Sequence, residues 1–142
     1  MLKEIKTDYV HCFVNENGLR QGEYKQYYNT GELYIHTFYQ NDILHGEYNV
    51  YYDNCQLCEH VFYVNGKLHG EYKSYYNNGR IHEHSLHQYG KLHGEYRTYN
   101  ENGRHKYATF FYQGTNLNVK PDTLTEKDKA YIMLSGRLPH RG

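Results

Sequence analysis

The sequence has no excess of either charge, with 16 Lys and Arg set against 16 Asp and Glu. That balance removes the basis for gripping a polyanion, because phosphate binding rests on a surplus of basic side chains. Apolar residues make up only 38% of the chain, below the roughly 45–50% of an ordinary globular domain. No apolar run approaches the length that crosses a bilayer, and Met1–Val10 carries charges where a signal peptide would be greasy. The expectation is an intracellular, cytoplasmic protein. Cysteine is scarce and odd in number (Cys12, Cys55, Cys58), which argues against a disulfide framework. Cys55-Gln-Leu-Cys58 has redox or half-zinc spacing, yet a zinc site needs four ligands and no second pair exists. The pair therefore reads as a turn residue and a strand residue that happen to be cysteine. Tryptophan is absent, but 19 tyrosines carry the aromatic fraction to 17%. A disordered chain would be poor in aromatics, so these 142 residues, one domain by length, read as a folded protein with a thin, tyrosine-built interior.

What is present is a repeat. Gly-Glu-Tyr occurs at Gly22, Gly46, Gly70 and Gly94, a period of 24 without insertion. The units run Gly22–His45, Gly46–His69, Gly70–His93 and Gly94–Leu117, and Thr7–Gln21 supplies the second half of a fifth. With each Gly as position 1, position 3 is Tyr24, Tyr48, Tyr72 and Tyr96; position 7 is Tyr28, Tyr52 and Tyr76, then Asn100. Each unit has two turn signals. Thr30-Gly31, Asn54-Cys55, Asn78-Gly79 and Asn102-Gly103 stand at positions 9 and 10, and Asn17-Gly18, Asn65-Gly66 and Tyr89-Gly90 at positions 20 and 21. Asn-Gly between alternating apolar residues is the strongest short hairpin signal, because both central residues of that turn need positive φ. The segments between turns are rich in Tyr, Phe and Val and read as strands.

Two strands per repeat give a continuous antiparallel meander that advances roughly 10 Å per unit, about 45 Å in all. Two-residue turns at both places would pair position 7 with 12, 5 with 14 and 3 with 16. They would also pair 18 with 23, 17 with 24, and 15 with position 2 of the next unit. One face then carries Tyr at 3, 7 and 18 with Leu at 12 and 23, and is the better candidate for burial. The other carries Glu at 2, Tyr at 6, His at 15, Phe at 17 and His at 24, and reads as amphipathic and wet.

Gly70–Arg80 (Gly-Glu-Tyr-Lys-Ser-Tyr-Tyr-Asn-Asn-Gly-Arg), followed by Tyr89-Gly-Lys-Leu-His-Gly-Glu-Tyr96, resembles the MORN repeat in its variant form. The likeness covers Thr7–Leu117, and the Tyr- and His-rich character is also similar to the MORN-repeat proteins of large DNA viruses, which would place the chain in a host cytoplasm or virion. The resemblance implies an all-β fold: an elongated single-layer meander of hairpins that scaffolds other proteins and often self-associates, with phosphoinositide binding proposed for some members. The chain departs from the pattern at Asn54-Cys55, where the turn Gly is lost, and at Asn100, where the second Tyr is lost.

From Asn118 the pattern changes, dividing the chain into a partial repeat (1–21), four repeats (22–117) and a C-terminal tail (118–142). Pro121 stops the sheet, and Thr123-Leu-Thr-Glu126 offers a capping box ahead of a short helix over Glu126–Leu134, with Ala130, Tyr131 and Leu134 on one side and Gly136 as C-cap. The tail is mildly basic, with five Lys or Arg against three acids. The expectation is a cap over the open sheet edge, with a partner-binding peptide as the alternative.

Eleven histidines invite metal chemistry, but members of the columns His36, His60, His84 and His45, His69, His93 stand about 10 Å apart, too far to share an ion bound at roughly 2 Å. The better reading pairs His36 with Glu47, His60 with Glu71 and His84 with Glu95 across strands, each worth about 0–1 kcal/mol. If the Glu partners raised the His pKa, that contribution would be lost as pH rises through the folded value. No nucleophile–base set and no phosphate-cradling glycine loop is present, so the chain reads as non-catalytic, without metal or cofactor. The body Gly22–Leu117 holds 8 basic and 10 acidic residues, a net −2, which disfavours nucleic acid and, less strongly, anionic lipid.

The tyrosine face (Tyr24, Tyr28, Tyr48, Tyr52, Tyr72, Tyr76, Tyr96) is the candidate structural or protein-binding surface. Phe110, Phe111, Tyr112 and Tyr131 are the candidate interface of a homodimer, since a single layer buries one face poorly. The expected activity is a protein-binding, self-associating scaffold; peripheral lipid binding through the repeat surface and basic tail is the alternative.

Overall fold

A computed structural model describes residues 1–140, leaving the last two positions of the tail outside the described residues. Eleven strands follow one another in a single sheet: β1 (Lys3–Lys6), β2 (Val10–Val14), β3 (Arg20–Tyr27), β4 (Leu33–Gln40), β5 (Ile43–Tyr51), β6 (Leu57–Val64), β7 (Lys67–Tyr75), β8 (Ile81–Gln88), β9 (Lys91–Tyr99), β10 (His105–Tyr112) and β11 (Thr115–Asn116). Each pairs antiparallel with its neighbours in sequence order, so the sheet is an open meander. A 3-10 turn, Pro121–Thr123, and one helix, α1 (Glu126–Ser135), complete the chain.

The turns at positions 20–21 behave as the sequence predicts. Asn65 and Gly66 have φ of 49° and 79°, Tyr89 and Gly90 50° and 84°, and Asn41-Asp42 and Gln113-Gly114 follow suit. Both central residues are left-handed, which matches the twist of the flanking strands. The turns at positions 9–10 differ. Only the second residue is left-handed (Gly31, Cys55, Gly79, Gly103), and the Tyr76 N–H donates to the Arg80 carbonyl while the Gly79 N–H donates to the Tyr76 carbonyl. These are three-residue loops, a type I turn closed by a left-handed residue. The preceding Asn is held there by its own side chain: Asn54, Asn78 and Asn102 each accept the N–H two residues on, at 3.0, 2.9 and 2.9 Å. Asn17-Gly18 belongs to this type as well, with Gly18 donating to Asn15. The longer loop moves the register, so position 6 pairs with 12 (Tyr27 with Leu33) rather than 7 with 12, and Tyr34 is left as the extra residue of a bulge.

A second correction lies at the repeat glycine. Tyr39 pairs with Leu44, but Thr37 pairs with Tyr48, so Phe38 alone stands opposite His45, Gly46 and Glu47. Gly46 takes φ +117°, and Gly22, Gly70 and Gly94 take +89°, +94° and +120° at the same position. The glycine makes this bulge possible, because an L side chain is strained at such angles. The bulge puts position 15 opposite position 4 of the next unit (His36 opposite Asn49) instead of opposite Glu47.

Most of the core within the sheet is one column of small side chains. Cys12, Thr37, Val61, Ser85 and Thr109 are all buried, at the position that pairs with the tyrosine of Gly-Glu-Tyr on both sides. The tyrosines roof this column edge to face: Tyr24 meets Tyr39 at 5.3 Å and Tyr48 meets Tyr63 at 5.6 Å. The face read as buried therefore holds this column, while the face read as wet is also buried where the tail covers Phe110.

Candidate interaction surface

The tail folds back over the opposite, wetter face. Helix α1 is capped by Thr125, whose hydroxyl accepts the Asp128 N–H at 3.0 Å while the Asp128 carboxylate accepts the Thr125 N–H at 2.9 Å. The box is thus two residues later than the expected Thr123–Glu126, and Gly136 closes the helix in the left-handed region. The buried side is also not the expected one. Ile132 is 0% exposed, whereas Leu134 is 87% exposed and Tyr131 and Ala130 face solvent. Tyr131 to Leu134 form an unbroken apolar run, so apolar spacing alone does not choose a side. Charge does: the Lys129 ammonium meets the Glu95 carboxylate at 2.6 Å, and one turn on, Met133 lines the hollow formed by Leu86, Gly94 and Phe110. Arg97 adds a bond to Asp122 at 2.8 Å and one to Glu95 at 3.2 Å. Burial pushes the Glu95 carboxyl upward, but the hydrogen bonds from Lys129 and Arg97 outweigh it and hold the group below the usual range.

This docking covers Phe110 of the expected dimer patch. Phe110 is 2% exposed and lines the α1 hollow. Phe111 lies on the other face against Tyr96, 5.7 Å between centroids. Tyr112 packs on His93 at 5.0 Å and beneath Gly136, where a Cβ would fall 2.6 Å from its Cε1. Of the four candidates Tyr131 is exposed, Phe111 and Tyr112 are half-buried and Phe110 is buried. At the sheet edge, β11 pairs with only Phe111 and Tyr112 of β10.

The seven candidate tyrosines divide into two sets with different structural work. Tyr24, Tyr48, Tyr72 and Tyr96 roof the core column; burial, followed by the charge of Glu59, pushes the Tyr72 hydroxyl up to about 12. Tyr28, Tyr52 and Tyr76 instead donate their hydroxyls to the carbonyls of Tyr51, Tyr75 and Tyr99 in the following repeat, at 2.5, 2.5 and 2.7 Å. Asn100 has no following repeat to reach, which accounts for the loss of tyrosine there. Tyr76→Phe is expected to cost about 0.5–1.5 kcal/mol, readable by urea denaturation, and Asn100→Tyr to gain nothing.

The histidines also find partners other than those expected. His36 bonds Glu23 at 2.9 Å and His84 meets Glu71 at 3.6 Å, both within one hairpin, while His60 bonds Asn49 at 2.5 Å. The pairs His36–Glu47, His60–Glu71 and His84–Glu95 do not form, because the glycine bulge displaces position 2 from position 15. In the second column, Nδ1 of His45, His69 and His93 accepts the turn N–H of Asn65, Tyr89 and Gln113 in the next repeat, at 3.2, 3.4 and 2.9 Å. That role needs an unprotonated Nδ1.

Burial holds the His93 ring, and also His87, below the ordinary imidazole range. With the folded pKa depressed, the unfolded chain binds more protons. The contribution is therefore complete above the unfolded value near 6.5 and is lost as pH falls below it. Urea denaturation at pH 8, 6.5 and 5.5 is expected to show stability falling mostly between the last two, and His93→Gln to flatten part of that fall.

Cys55 occupies a turn and Cys58 a strand, as read. Cys55 has φ +70° where Gly31, Gly79 and Gly103 stand in other repeats, so Cys55→Gly is expected to stabilise the chain by about 0.5–1 kcal/mol in the same assay. Among the described residues, no group of three or more His, Cys, Asp or Glu is placed to hold a metal ion, and no helix is long and apolar enough to cross a membrane.

A single open layer of hairpins tied repeat to repeat by side-chain ladders defines a β-repeat protein. Residues 20–41, 68–88 and 92–113 match the family described as MORN repeat variant, so the chain carries MORN repeats of the variant type in these three segments. MORN repeats are generally scaffold or membrane-binding repeats and typically non-catalytic. No curated protein matches the chain.

Proposed function

We propose that the chain is a non-catalytic scaffold that binds proteins, its own copies included as a homodimer, across the part of the wetter face that α1 leaves open. The observation that carries this reading is Phe62. It continues the column of Leu86 and Phe110, which α1 covers, yet it is 42% exposed on a central strand. A large apolar side chain open in the middle of a sheet, rimmed by charged and imidazole groups, has the composition of an interface rather than of a solvated surface. Three free cysteines suit a reducing compartment. The lipid reading has less support, since Lys129 of the basic tail is tied to Glu95 and Glu126 at 2.6 and 3.3 Å.

Light scattering coupled to size exclusion, over a range of concentrations at pH 6 and 8, tests the proposal. The expected result is a dimer for the wild type and a monomer for Phe62→Glu. A wild type that is monomeric throughout removes self-association, and a Phe62→Glu chain with unchanged mass removes this surface.

A further inference from the structure

The seat that holds α1 is built from repeat positions, so the sequence can build it again. Its parts are Leu86 and Phe110, both at position 17, on either side of Gly94 and Glu95 at positions 1 and 2. Two repeats upstream, the same positions are Phe38, Gly46, Glu47 and Phe62. The backbone there repeats the α1 seat more closely than in the other two units. Gly46 and Gly94 have φ of +117° and +120°, against +89° and +94° at Gly22 and Gly70. At Gly46 and Gly94 the position-17 side chain leans over the glycine: a Cβ would lie 3.5 Å from Phe38 Cβ and 2.8 Å from Leu86 Cδ1. At Gly22 and Gly70 it would meet nothing within 4 Å.

The charges point the same way. Glu23, Glu71 and Glu95 each have a basic residue two positions on, and pair with Lys25, Lys73 and Arg97 at 3.8, 3.5 and 3.2 Å. Beside Glu47 that position is Asn49, which bonds His60 instead. Glu47 is exposed and, among the described residues, has no ion-pair partner. In the α1 seat the matching carboxylate receives Lys129. Two repeats are about 20 Å along the sheet and a helix is roughly 10–12 Å across, so a second helix fits beside α1.

We infer that Phe38, Gly46, Glu47 and Phe62 form a second helix seat, whose occupant is an amphipathic helix of a partner protein carrying a basic residue followed three and four positions later by two apolar ones. Lys129, Ile132 and Met133 are the pattern it would match. The inference rests on the scaffold reading and gives it a partner class.

The probe is a fluorescent, side-chain-stapled helical peptide with the sequence of residues 125–136, titrated into the full chain and followed by polarisation. A homodimer through Phe62 would cover the same seat, so the titration is run at protein concentrations where light scattering shows monomer. Saturable binding to the wild type is expected there, weakened at least tenfold by Glu47→Lys and restored by a peptide in which the residue equivalent to Lys129 is Glu. Glu71→Lys should leave it unchanged, and unaltered circular dichroism of each variant establishes that it is folded. Absence of binding overturns the inference, as does binding that responds to Glu95→Lys but not to Glu47→Lys, because the peptide would then be displacing α1. A chain that dimerises yet ignores the peptide rejects this seat and keeps the scaffold; one that stays monomeric and binds the peptide rejects the homodimer alone.

Discussion

Ile132→Ala is expected to release α1 from the sheet. The side chain is 0% exposed, and truncating a fully buried Ile costs about 2–5 kcal/mol. A ten-residue helix is marginal by itself in water, so its docked state has little to set against that loss beyond the Lys129–Glu95 and Arg97–Asp122 pairs, which are partly solvated. Hydrogen exchange followed by mass spectrometry should show the amides of 126–135 losing protection while those of β5 to β7 keep theirs. Protection of α1 unchanged from wild type would show that the ion pairs, not Ile132, hold the helix.

Gly94→Ala should be strongly damaging for a single methyl. At φ +120° an alanine is strained by about 1–3 kcal/mol, and its Cβ would arrive 2.8 Å from Leu86 Cδ1, beneath the helix where Leu86 cannot move outward freely. A loss of roughly 2–4 kcal/mol is expected in urea denaturation, with α1 loosened as well. Gly70→Ala provides the comparison. It has a left-handed φ of +94° but no atom within 4 Å of its Cβ, so it should cost less and leave α1 in place.

Much of the architecture could be read before any coordinates, because a fixed period and a turn chemistry leave few alternatives. Asn65-Gly66 specifies a two-residue turn, and the turn specifies which strands are neighbours. Asn78-Gly79 shows where that reasoning stops. The same dipeptide sits in a three-residue loop, since the Asn78 side chain captures the Arg80 N–H and keeps Asn78 itself out of the left-handed region. A difference of one loop residue, together with the bulge at each repeat glycine, is enough to move His36 from Glu47 to Glu23. The core column was hidden for another reason: Cys12, Thr37, Val61, Ser85 and Thr109 share only small size, which no hydrophobic pattern detects. The side on which α1 docks depends on a contact between Lys129 and Glu95, 34 positions apart, and local sequence carries no record of it.

The tyrosine hydroxyls of position 7 all reach forward, from one unit to a carbonyl of the next. A unit in the middle of the chain therefore arrives with one donor and one acceptor, both of which its neighbours already complement. Copying such a cassette in frame lengthens the molecule without creating a new kind of junction, and deleting one shortens it on the same terms. Growth is open at every internal boundary but sealed at Asn100, whose side chain makes no forward bond. The number of units is thus a quantity that duplication can change freely, while the last unit, with the helix laid against it, marks a fixed end from which the length is counted.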